Sequence, residues 1–87
     1  MELTLFGRSA GKNGVVIAQA LIDHADAEAA AMYRWYLGGR HRRYVMAFEH
    51  GKTVLLHRLV LGAQSGQRVR HLNGDPLDNR RANLALV

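Results

Sequence analysis

Apolar residues along this chain fall into short runs, alternating in places, separated by glycines and charged turns. Residues 15–21, β-branched at their start, predict a strand. Asp23 stands where a helix N-cap belongs, with Asp26 three residues on, as in a capping box. The four alanines within residues 27–33 then predict a helix. Trp35, Tyr36 and Leu37 lead out of it into a strand, and the cation-rich turn of residues 38–43 leads to a return strand over 44–48. His50-Gly51 is the next turn, residues 53–56 the next strand, and 57–61 a short helix stopped by Gly62. Residues 7–14 hold three glycines, and the first fourteen residues are read as a loop or mobile arm. The expectation is an α+β fold: one small domain over 1–87, with an antiparallel sheet and one or two short helices over 15–66 and a separate segment over 67–87.

Composition narrows the classes. Eighty-seven residues suit a single domain with a thin core. Cysteine is absent, which removes disulfides, thiolate zinc sites and cysteine nucleophiles. No apolar run approaches the ~20 residues of a membrane span. Arg8 and Lys12 interrupt any signal core, so a cytoplasmic location without membrane contact is expected.

Charge adds a direction. The net charge is +5, distributed as −2 over residues 1–33 and +7 over residues 34–87. Ten of the twelve basic residues are arginine, whose fork matches phosphate oxygens and guanine edges. A polyanionic partner, DNA before others, is the reading. His24, His41 and His50 are too scattered to gather a zinc ion, and no metal site is expected from spacing.

The last third carries the most specific pattern: Leu56-His57-Arg58-Leu59, then Val69-Arg70-His71-Leu72-Asn73-Gly74-Asp75-Pro76, closing in Asp78-Asn79-Arg80-Arg81-Ala82-Asn83-Leu84. It resembles the HNH endonucleases of phages and mobile introns. Upstream, Ala20-Leu21-Ile22-Asp23 and Arg34-Trp35-Tyr36-Leu37 are similar to the AP2-like sheet region found with that motif. The resemblance implies an HNH-like C-terminal hairpin turning at Asn73-Gly74-Asp75-Pro76, with His71 at the general-base position and Asn83 orienting its imidazole. It further implies a phage or mobile-element source and, were cleavage retained, a Mg²⁺ ion.

Two departures redirect that expectation. Arg70 occupies the position where the family carries a metal-binding Asp, and a guanidinium cannot ligate a cation. The chain given ends at Val87, short of the helix that supplies the family's second ligand, so a truncated motif is expected. The leading reading is therefore a DNA-binding protein on a catalytically inactive HNH scaffold, with Arg40, Arg42, Arg43, Arg70, Arg80 and Arg81 on phosphates. Two alternatives stand beside it. One is a small inhibitor or regulator that binds a host protein or an RNA–protein machine. The other is a metal-dependent nuclease completed by dimerisation or by a partner. His57 is expected half-buried with a backbone partner, Arg58 to meet Asp75, Asp78 or DNA, and Asn79 and Asn83 to cap backbone groups. Leu77, Leu84, Leu86 and Val87 should cover the hairpin, against the sheet or against a second copy in a homodimer.

Overall fold

The computed structural model describes residues 1–6, 16–38 and 44–87. Strand β1 (Glu2–Phe6) is followed by β2 (Val16–Leu21), a 3-10 turn (His24–Asp26), the single-turn helix α1 (Ala27–Ala30), and β3 (Tyr36–Gly38). Next come β4 (Tyr44–Glu49), β5 (Lys52–Leu55) and α2 (Leu56–Leu61). The chain closes with β6 (Val69–His71), a second 3-10 turn (Arg81–Asn83) and β7 (Leu84–Leu86). β2-β1-β3-β4-β5 form one sheet and β6-β7 a separate hairpin. The α+β class and the C-terminal hairpin are as the sequence predicts. A Cα radius of gyration of 12.4 Å is close to the ~12 Å of a compact domain of this length.

The sheet departs from the expectation in two ways. Residues 2–6, assigned by sequence to an arm, form β1 at its interior; residues 7–14 of that arm lie outside the described residues, as do residues 39–43 of the cation-rich turn. The sheet is also mixed, because β1 runs parallel to β3 through the pair Phe6 and Tyr36. The chain between them passes through β2 and α1, the kind of crossover that a parallel pair requires. β1 packs large against small: Leu3 opposes Ala20 and Leu5 opposes Ala18.

One face of the sheet builds the core. Leu5, Ala20, Val45 and Ala47 meet Ile22, Ala30, Trp35, Leu56 and Val60, and Leu84 of the hairpin joins them. Trp35 also decides where α1 stops. Its indole Nε1 donates to the Ala30 carbonyl at 2.9 Å, the oxygen that a continuing helix would offer to residue 34. Burying Trp35 thus draws the chain out of the helix that alanine propensity extends to residue 33. The capping pair is likewise diverted: neither Asp23 nor Asp26 caps a helix with its side chain. Both carboxylates face Arg81 instead.

Local signals elsewhere work as read. Gly62 closes α2 in the left-handed region at φ 64°, where its N–H and that of Ala63 satisfy the last carbonyls. His50 and Gly51, with φ of 50° and 78°, form the two-residue turn between β4 and β5. None of the described helices is long and apolar enough to cross a membrane.

Candidate functional site

The β6–β7 hairpin pairs Val69 with Leu86, Arg70 with Ala85 and His71 with Leu84. Strand alternation sends His71 inward and Arg70 outward. The guanidinium of Arg70 therefore stands on the hairpin's outer face, away from the imidazole. It is exposed and makes no ion pair with a described residue, and Arg68 two positions earlier is exposed in the same way.

The connection from Leu72 to Arg80 owes its shape to side-chain hydrogen bonds. Asn73 accepts the Asp75 N–H on Oδ1 at 2.8 Å, an Asx turn, and Gly74 takes the positive φ of 77° that the bend requires. Asn83, buried, accepts the Asn73 N–H at 3.0 Å and donates through Nδ2 to the Asp78 carbonyl at 2.9 Å and to Asn73 Oδ1. It clamps the loop's two ends and makes no hydrogen bond to the His71 ring.

The imidazole is held by Asn79 instead. His71 Nε2 lies 2.8 Å from Asn79 Oδ1, while Asn79 Nδ2 donates to the Pro76 carbonyl at 3.0 Å. That second bond sets which end of the amide faces the ring, so in this network Nε2–H is the donor. Neutral His71 then carries its lone pair on Nδ1, which has no hydrogen-bond partner among the described residues. Asn79 is fully buried; it caps backbone, as read, and also orients the histidine eight residues away. A polar residue at the foot of a turn gave the only signal, and that signal points to many roles.

His71 faces His57, 5.0 Å between ring centroids, and both meet Tyr44, at 5.2 Å from His57 and 6.5 Å from His71. His57 is buried among these rings rather than half-buried on a backbone partner. Burial, the neighbouring His71 and Arg58 lower its pKa to about 4, so it is neutral at pH 7. Among the described residues no three His, Asp or Glu side chains converge as a metal cluster.

Arg80 and Arg81, read as phosphate contacts, are committed to the protein. Arg80 forks onto buried Asp78 through Nε at 2.8 Å and Nη2 at 2.7 Å. This guanidinium, helped by the Asn73 amide, outweighs the burial of Asp78 and holds its pKa down to about 2. Arg81 forks onto buried Asp26 at 3.1 and 2.7 Å, and its backbone N–H donates to Asp23 at 2.8 Å. These bonds join the hairpin to the start of α1 across more than fifty residues. Arg58 meets neither Asp75 nor Asp78; it donates to the carbonyls of Gln64, at 2.8 Å, and Gln67. Arg40, Arg42 and Arg43 lie outside the described residues. Leu77 and Leu84 pack on the core, while Leu86 and Val87 remain exposed.

What the site offers is an oriented imidazole on the inner side of a hairpin and two exposed guanidiniums that make no ion pair with a described residue. Compared with known proteins, the chain matches no family model, no curated protein and no solved structure.

Proposed function

We propose that this chain binds duplex DNA through the outer side of its β6–β7 hairpin, on an HNH-like scaffold that does not cleave by itself. The observation that carries the reading is the contrast among the hairpin's arginines. Arg80 and Arg81 are neutralised by Asp78 and Asp26, whereas Arg68 and Arg70 stand exposed without ion pairs to described residues. Exposed guanidiniums on β6 and on the residue that leads into it suit a phosphate backbone. The +5 net charge works in the same direction over longer range. Anisotropy titrations of labelled duplex over a salt series test this. Each phosphate contact contributes about −0.9 to the slope of log K against log salt, so Arg70→Ala flattens the slope by about that amount. An unchanged slope in Arg70→Ala and Arg68→Ala excludes the hairpin as the interface.

A second reading rests on the His71–Asn79 bond, since an imidazole oriented through Nε2 with Nδ1 clear has the arrangement of a general base. In that case another chain, or a second copy, supplies the carboxylates for Mg²⁺. Divalent-dependent nicking that disappears in His71→Ala is its signature. Host-protein binding is favoured by no specific feature of the hairpin.

A further inference from the structure

Two imidazoles face each other across the seam between α2 and the hairpin, and each has a nitrogen without a partner. His57 is 6% exposed, yet neither of its ring nitrogens is hydrogen-bonded to a described residue. Buried polar atoms are ordinarily paired with protein, water or an ion. No side-chain nitrogen or oxygen wholly closed to solvent lacks a partner among the described residues, so the His57 nitrogens keep some contact with solvent. His71 contributes a second lone pair, on Nδ1, because its Nε2–H is committed to Asn79.

We infer that His57 and His71 together hold one Zn²⁺ ion, with water completing its coordination, and that the ion pins the hairpin to α2. Neutral imidazole suits zinc, whereas Mg²⁺ takes oxygen ligands. With Zn–N bonds of about 2.1 Å, two imidazoles on one ion have centroids about 4.6 Å apart at a right angle and about 5.3 Å apart at the tetrahedral angle. The observed separation is 5.0 Å, with the ring planes tilted by 53°. Asn79 supplies the outer support, since a metal-bound imidazole regularly donates its other N–H to a fixed acceptor. Protons compete weakly at His57, because burial, His71 and Arg58 lower its pKa to about 4. The Arg58 guanidinium is itself committed to the carbonyls of Gln64 and Gln67. Among the described residues no third His, Asp or Glu joins the pair, which leaves the other positions on the ion to water. With Nδ1 on zinc, His71 has no lone pair left to take a proton, so zinc binding and general-base action exclude each other. Duplex binding through Arg68 and Arg70 is independent of both.

Zinc titration of the metal-free wild-type chain, followed by NMR of the histidine ring nitrogens at neutral pH, tests the site. One equivalent should shift His71 Nδ1 and one nitrogen of His57 together, leave the rings of His24, His41 and His50 in place, and raise the thermal midpoint. Excess Mg²⁺ should cause none of these changes. In calorimetric titrations His71→Ala should lose the one-equivalent zinc binding, and Asn79→Ala, which removes only the support, should weaken it about tenfold. The combined variant His24→Gln, His41→Gln, His50→Gln should bind zinc as the wild type does. Zinc that leaves the wild-type His57 and His71 rings unshifted overturns the inference without recourse to any variant. Wild-type affinity in His71→Ala overturns it as well, as does loss of binding in the combined variant, which would make the ion adventitious at exposed histidines.

Discussion

The five-strand sheet and the C-terminal hairpin are held together by different physics. In the sheet, order comes from apolar burial: Leu5, Ile22, Trp35, Val45 and Leu56 lose nearly all contact with water. In the hairpin, Leu84 is the only buried apolar side chain, and a mesh made by Asn73, Asp78, Asn79 and Asn83 does the positioning. A two-stranded hairpin is marginal in water, so it needs such a mesh and a surface to lean on. Apolar packing tolerates many sequences of similar volume, whereas a hydrogen-bond mesh depends on each member. The two regions meet at the rings of His57, His71 and Tyr44 and at the Arg81–Asp26 pair.

The strongest way to break the sheet side is Trp35→Ala. It empties the largest fully buried side chain and frees the Ala30 carbonyl, and should cost about 3–5 kcal/mol in denaturant unfolding. The seam is tested by pH. The folded pKa of His57 lies near 4, below its ordinary 6.5, so the unfolded chain binds the proton more readily between these values. Stability is therefore full above about pH 6.5 and falls as pH drops toward 4, by about 3 kcal/mol in all. His57→Phe should flatten that window, measured as the thermal midpoint across the pH series.

On the hairpin side, Asn83→Ala leaves the Asn73 N–H and the Asp78 carbonyl without their partner and should cost about 2 kcal/mol. Because Asn83 makes no hydrogen bond to the His71 ring, the ring nitrogen NMR shifts of His71 at fixed pH should move less in that variant than in Asn79→Ala. The smallest effect is acid sensitivity at Asp78. Its pKa is depressed from 3.8 to about 2, so the pair with Arg80 contributes fully above about pH 4 and is lost as pH falls through 2. Asp78→Asn should remove that part of the acid limb. If Trp35→Ala and Asn83→Ala prove equally costly, the contrast between apolar and polar regions is weaker than the burial pattern implies.

Legibility in the sequence follows the same division. The α2 stop at Gly62 and the His50-Gly51 turn were readable, because each depends on backbone conformation within a few residues. β1 was readable in principle, since Leu3 and Leu5 alternate with Glu2 and Thr4, but the glycine-rich stretch after it drew the whole segment into an arm. Arg80 and Arg81 were expected on phosphates because they close the HNH-like motif as adjacent cations. Buried carboxylates claimed them, one two residues away and the other fifty-five.

By itself, then, the order of apolar runs, glycines and charges determined an α+β domain, its helix stop, its tight turn and its basic character. These depend on local conformational preference and on composition, both of which are properties of short windows. Only the tertiary structure decided that β1 enters the sheet interior parallel to β3, that Trp35 shortens α1, that Asn79 rather than Asn83 holds His71, and that Arg80 and Arg81 pair with buried carboxylates. Each of those outcomes is a competition between a local partner and a distant one. Burial settles such competitions, because inside the fold every polar group must find a partner and every ring a neighbour.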